Sequence, residues 1–224
     1  MIIAIDGPAG AGKSTVARRV AGELGYAYIN TGAMYRAVAL AAREGDIHLA
    51  DERALSELGA ALPMRFGAGG TRLFLGERDV SEEIMAPDMG QAASKVAALP
   101  LLRQKIVARQ RELGETAQRE CGGAVLEGRD IQTVVFPDAR LKVFLTATDE
   151  ARAARRIAQW KQKGEVFDEE QALIDVRERD ARDSGRDTSP LRAATDAVVL
   201  ETDDLSPDEV VARIVAVARE RMNA

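Results

Sequence analysis

The run IIAID at residues 2–6 stops at Gly7 and passes directly into GPAGAGKST, residues 7–15. A short apolar, β-branched run bounded by glycine reads as a buried strand. Val16, Ala17, Val20, Ala21 and Leu24 follow at helical spacing, which predicts a helix over 13–24. The stretch between fits G-x-x-x-x-G-K-[ST] and has the strand-before, helix-after context that this motif needs. Glycines let backbone N–H groups turn inward toward phosphate oxygens, and the helix N-terminus adds partial positive charge. Gly7, Pro8, Ala9, Gly10, Ala11, Gly12, Lys13, Ser14 and Thr15 are therefore expected to wrap the phosphates of a nucleoside triphosphate. Lys13 would reach the β- and γ-phosphates, and Ser14 would be the protein ligand of Mg2+.

The rest of the chain extends this opening into an α/β fold. Helical patterns are predicted at 33–44, 52–61, 100–119, from Asp149 onward, and at about 168–184. Short apolar runs at YAYI (26–29), AVLE (124–127), LKVFLT (141–146) and AVVLET (197–202) read as strands. Ser206-Pro207-Asp208 opens a last helix with a cap and a first-turn proline. Strands separated by helices predict a parallel sheet of about five strands covered on both faces, a three-layer fold. The pattern changes at Pro63, where MRFGAGGTRLFLGERDV alternates like a β-hairpin around a glycine turn. Residues 63–97 are accordingly expected to form a small insertion. Residues 1–62, 98–147 and 188–224 form the core in this reading, and 148–187 a helical lid with its flanking helices.

Composition narrows the function classes. The chain has 224 residues and a net charge of −5, which disfavours nonspecific nucleic-acid binding. No apolar run approaches the ~20 residues that cross a bilayer. The single cysteine, Cys121, suits a reducing compartment, and the N-terminus has no basic leader. The expectation is a cytoplasmic monomer with no membrane or nucleic-acid partner. His48 is the only histidine, in a charged connecting segment, and is expected to have no catalytic part.

A phosphate loop does not say what becomes of the γ-phosphate, because switches, motors and small-molecule kinases share it. NTGAMYR (30–36) follows a predicted strand, with Thr31 and Gly32 at a capped turn and Arg36 one turn into the helix. LEGRDIQTVVFPDA (126–139) places Arg129 and Asp130 at the carboxyl end of another strand, where open α/β sheets bind ligands. Arg179, Arg182, Asp183 and Arg186 share one helical face by spacing, and Arg152, Arg155 and Arg156 form a second. The segment QWKQKGEVFDEE (159–170) joins them as a hinge-like tip, so the two faces could close over phosphates. The alternative for each face is a solvated helix laced with weak Arg–acid pairs. The guanine signal N-K-x-D is absent from the sequence, which disfavours a GTPase switch.

IDGPAGAGKST, NTGAMYRAVAL, AASKVAALPLLR, EGRDIQTVVFPDA, RERDARD and PLRAATDAVVL occur in order from residue 5 to residue 200. Together they resemble the bacterial-type cytidylate kinases, within the nucleoside monophosphate kinases. The resemblance implies Mg-ATP-dependent phosphorylation of CMP and dCMP on a P-loop core. It also implies that the 63–97 insertion binds the nucleoside monophosphate. It assigns Ser94, Arg103 and Asp130 to the cytosine ring, Thr31, Arg36 and Arg129 to the acceptor phosphate, and Asp183 to the sugar. Lys13, Arg129, Arg179 and Arg186 become the groups that act on the transferring phosphoryl. On the helical spacing above, Arg179 and Arg186 are also expected to touch the acceptor, and Arg155 the donor nucleotide. Two positions depart from the family pattern: Asn30 stands where Asp is usual, and Gln132 where Gly is usual.

Overall fold

The computed structural model describes residues 1–162 and 168–223. A five-stranded parallel sheet runs in the order β2 (Ala27–Asn30), β6 (Ala124–Gly128), β1 (Ile2–Asp6), β7 (Leu141–Thr146), β8 (Val198–Glu201). Every residue of β1 and β6 is buried, as expected for strands covered on both faces. The strand period of two divides them cleanly. Ile3, Ile5 and Val125 pack in one cluster with α1 (Lys13–Leu24) and α8 (Pro207–Asn223). Ile2, Ala4 and Leu126 pack in another with Val107 of α5 (Pro100–Cys121). The expected three layers follow from this alternation.

Between β2 and α5 lie α2 (Thr31–Glu44), α3 (Glu52–Ala61), an antiparallel sheet of β3 (Met64–Phe66), β4 (Leu73–Leu75) and β5 (Arg78–Asp79), and α4 (Pro87–Val96). The small sheet falls within 63–97, together with α4, which the hairpin pattern did not reveal. Leu73, Val80, Ile84, Met89 and Val96 are buried in one continuous cluster with Met34, Leu40, Leu55 and Leu102 of α2, α3 and α5. The inserted stretch therefore shares its core with these helices and has no separate one.

Strands β1, β2 and β6 all end at the same edge of the sheet, with Asp6 in register with Gly128 and Asn30 with Glu127. The phosphate loop, the start of α2 and the Arg129–Asp130 loop are brought together there. Beyond them α6 (Asp149–Gln162) packs against α7 (Glu169–Ser184). Part of the expected 159–170 tip, residues 163–167, lies outside the described residues.

Two helical expectations are corrected. Arg186 does not lie on the helical face of Arg179 and Asp183, because α7 ends at Ser184. Gly185 N–H closes the last turn on Ala181 O, and Leu191 N–H returns to Asp183 O, so the chain doubles back. Arg186 reaches Asp183 from this turn. On α6, Arg155 and Arg156 both line the cleft over the phosphate loop, whereas Arg152 does not join them there. Arg152 turns under the phosphate loop, Arg155 toward Thr202 after β8, and Arg156 stacks on Trp160.

Candidate active site

The phosphate loop has the backbone that its glycines predict. Gly7, Gly10 and Gly12 have φ of 151°, 79° and 86°. A Cβ on Gly7 would stand 2.1 Å from Leu145 O, so that position is closed to other residues by β7 as well as by its torsion. Lys13 is buried, and its Nζ donates to Pro8 O at 2.6 Å. Burial, reinforced by the nearby Arg129, holds its ammonium well below the usual lysine value. Ser14 and Thr15 are exposed at the first turn of α1.

At the neighbouring strand ends, Thr31 Oγ1 donates to Glu127 O at 2.6 Å. Gly128 has no room for a side chain, since a Cβ would lie 2.8 Å from Thr31 Oγ1. Arg36 lies one turn further along α2, with Nη1 2.6 Å from Met85 Sδ. Arg36, Arg129 and Arg179 line one cleft of about 890 Å3 with Gly12, Lys13 and Ser14. Its far wall includes Arg155, which donates to Thr202 Oγ1 at 2.9 Å. Apart from Arg186, which is not among the cleft's lining residues, the positive groups expected to handle phosphate converge there, although they come from five separate stretches of chain.

The remaining predicted residues form a buried polar cluster beside that cleft. Arg103 pairs with Asp130 and donates through Nη1 to Ala97 O at 2.9 Å. Ser94 Oγ donates to Asp183 Oδ1 at 3.1 Å, and Arg129 Nε to Asp183 Oδ2 at 2.9 Å. Arg186 also pairs with Asp183, and Arg179 Nε approaches it to 3.9 Å. Burial alone would raise the Asp183 carboxyl, but Arg129, Arg186 and Arg179 outweigh it and hold it at about 2. Desolvation and the neighbouring Arg129 push the Arg179 guanidinium down from its usual value. The Nε atoms of Arg103, Arg179 and Arg186 are buried without a hydrogen-bond partner among the described residues. Cations this crowded and incompletely satisfied fit a site that receives anions.

Two residues that sequence reasoning did not single out, Asp6 and Glu127, hold this arrangement together with Arg152, whose place under the phosphate loop the helical spacing did not reveal. Asp6, the last residue of β1, accepts the Ile131 N–H at 3.1 Å and the Gln132 N–H at 2.8 Å. Burial raises its carboxyl to about 7, aided by nearby Asp130 and opposed by the two backbone donors. These bonds fix a single π-helical turn, Ile131–Val135, directly after Asp130. Glu127 accepts from Tyr28 Oη at 2.6 Å. Arg152 donates to Ala9 O at 2.9 Å. A buried carboxylate at the end of a strand that enters a phosphate loop is the signal that could have exposed Asp6.

Both departures from the family pattern are accommodated. Asn30 caps α2, its Oδ1 accepting the Ala33 N–H at 3.0 Å. Gln132 does not need the left-handed backbone region, since the positive-φ residues other than glycine are Asp46 and Ser189 among those described. Its side chain is buried, and its Oε1 accepts the Ala194 N–H at 3.0 Å. Elsewhere, His48 Nδ1 accepts the Ala50 N–H at 3.2 Å, and Cys121 is exposed and unpaired. No helix among the described residues is long and apolar enough to cross a membrane. No group of three or more His, Cys, Asp or Glu among them could hold a metal. A Mg2+ here would need ligands beyond the protein, which the phosphates of a nucleotide beside Ser14 supply.

The fold and site define a P-loop phosphotransferase-type architecture with an arginine-rich cleft over the phosphate loop. A gluconokinase from Sinorhizobium meliloti superposes with a TM-score of 0.50 at 16% identity, covering 99% of this chain and 93% of that one. The family model for cytidylate kinase matches residues 3–220. A cytidylate kinase from Syntrophotalea carbinolica is 47% identical over 99% of this chain and 93% of its own length. One from Methylococcus capsulatus is 47% identical over 94% of this chain and 93% of its own. The chain belongs to the cytidylate kinase family.

Proposed function

We propose that this chain phosphorylates CMP and dCMP with ATP, giving CDP and dCDP. The observation that carries this reading is the buried Ser94–Asp183 and Arg103–Asp130 cluster, set at a strand end beside the phosphate loop. The family to which the chain belongs supports the same acceptor. Cytosine presents an exocyclic amine, which a carboxylate accepts, and acceptor atoms that suit an arginine or a hydroxyl. Asp130, Arg103 and Ser94 provide those three groups, and Asp183 is assigned to the sugar hydroxyl. The 63–97 stretch is assigned to the monophosphate, and 148–187 to closure over the reaction.

Thr31, Arg36 and Arg129 are assigned to the acceptor phosphate, and residues 7–15 with Arg155 to ATP. An oxygen of the CMP phosphate attacks the γ-phosphorus while the bond to the β–γ bridging oxygen breaks and ADP leaves. Lys13, Arg129, Arg179 and Arg186 neutralise charge on the transferring group, and Ser14 would hold Mg2+, which adds further neutralisation when bound. No covalent nucleophile or histidine base is required, because positioning and charge neutralisation carry phosphoryl transfer. The enzyme is assigned to the cytoplasm as a monomer; a single unpaired cysteine fits a reducing compartment.

A coupled ADP-release assay across CMP, dCMP, UMP, AMP and GMP tests the reading. Turnover should be fastest with CMP or dCMP. Turnover largely absent with both would sink it.

A further inference from the structure

Arg152 stands in the first turn of α6, 3% exposed, and none of the roles above uses it. Its Nε donates to Ala147 O at 3.1 Å, its Nη2 to Asp149 Oδ1 at 2.5 Å, and its Nη1 to Ala9 O at 2.9 Å. The same Nη1 lies 2.5 Å from Asp180 Oδ2 on α7. Arginine can meet these acceptors at once because its guanidinium is a rigid fork of five donors.

The bond to Ala9 has a consequence for the phosphate loop. The peptide joining Ala9 to Gly10 is trans, and in a planar trans peptide the C=O and the following N–H point in opposite directions. Ala9 and Gly10 line the cleft, and Arg152 is not among its lining residues. With the Ala9 carbonyl held toward Arg152 on α6, the Gly10 N–H is directed away from Arg152. The loop is also packed tightly at this point: a Cβ on Gly10 would stand 2.9 Å from both Arg152 Cβ and Arg152 O. On the other side, Asp180 directly follows Arg179 on α7 and is three positions before Asp183. Arg152 therefore joins the phosphate cradle to the helix that supplies the acceptor cluster.

We propose that Arg152 is a positioning residue, which aims the Gly10 N–H at the donor phosphates and ties the phosphate loop through Asp180 to α7. The inference rests on the reading that this loop binds the phosphates of ATP. Its physical basis is preorganisation: an N–H already fixed toward an anion costs no reorganisation when the anion arrives.

ADP binding, measured by titration calorimetry on the full chain, separates the two ideas. If the wild type does not take up ADP, the functional reading fails before this one is reached. If it does, Arg152→Met should weaken ADP about ten- to a hundredfold, the scale of a charge-assisted hydrogen bond. Arg152→Lys should recover little of that, because one ammonium cannot reproduce the fork. Asp180→Asn should also weaken ADP, and the double variant should be no weaker than Arg152→Met alone, since both act through one junction. Should Arg152→Met not fold, Arg152→Lys and Asp180→Asn carry the test. Folded variants that bind ADP like the wild type, or losses at 152 and 180 that simply add, overturn the proposal.

Discussion

Ser94 Oγ on α4 and Asp183 Oδ1 on α7 are 3.1 Å apart, although 89 positions separate them in the chain. Asp183 is the common partner of Ser94, Arg129 and Arg186, so the acceptor cluster hinges on one carboxylate. Replacing it with asparagine keeps one acceptor oxygen but removes the charge and the second oxygen that serve Ser94, Arg129 and Arg186, and should cost about 3 kcal/mol at neutral pH. Its carboxyl titrates at about 2 in the folded protein, below an ordinary aspartate at about 4. A depressed acid stabilises the fold above its unfolded pKa, and that contribution fades as pH falls toward the folded value. Chemical unfolding of wild type and Asp183→Asn should therefore differ most near neutrality and converge between about pH 4 and pH 2.

Lys13→Ala should lower kcat by about a hundredfold or more with every acceptor, because it removes a buried cation proposed to neutralise the transferring group. Lys13 begins with a depressed pKa, and polyphosphate beside it favours its charged form. ADP binding should therefore take up protons, and affinity should fall as pH rises. Calorimetry in buffers of different ionisation enthalpy measures that uptake, which Lys13→Ala should remove.

Asp130→Ala should raise the KM for CMP about tenfold to a hundredfold while changing the KM for ATP far less. The pair with Arg103 is buried, so the variant also leaves that guanidinium without its carboxylate at the proposed base site. Steady-state kinetics with each substrate varied in turn decides this. Equal losses for both substrates would remove Asp130 from the base-reading set.

Asp6 carries the opposite pH signature. Its carboxyl is raised to about 7, so from about pH 4 to pH 7 the folded state holds a proton that the unfolded chain has released. Stability should fall as pH rises through that window, by an amount on the order of a few kcal/mol. Asp6→Asn cannot titrate, and its urea midpoint should be flatter across the same range.

Gln132→Gly should lower the melting temperature, at a cost of about 1–3 kcal/mol. The change removes the side chain that accepts the Ala194 N–H and adds backbone freedom to the unfolded chain. An unchanged or higher melting temperature would show that this bond adds nothing.

Much of this arrangement was legible in the order of residues. The spacing of Val16, Val20 and Leu24 marked α1, and IIAID marked β1, because period and apolarity are local properties. Helix α4 and the π-helical turn after Asp130 were not legible, since Ala-rich polar stretches acquire their conformation from what they pack against. The charge-laced segment at 177–187 misled in one respect. Spacing placed Arg186 on a helical face, whereas Gly185 ends the helix and Arg186 meets Asp183 from a turn.

By itself, the sequence determined the phosphate loop, the parallel α/β plan and a supply of arginines whose chemistry suits phosphate. All of these rest on short-range patterns and on the chemistry of individual side chains. Only the tertiary structure decided that Asp6 anchors the Asp130 loop, that Arg152 backs the phosphate cradle, and that Asp183 gathers Ser94, Arg129 and Arg186. Those contacts join strand ends and helices far apart in the chain. Burial also sets which carboxylates are charged, and burial exists only once the layers have packed.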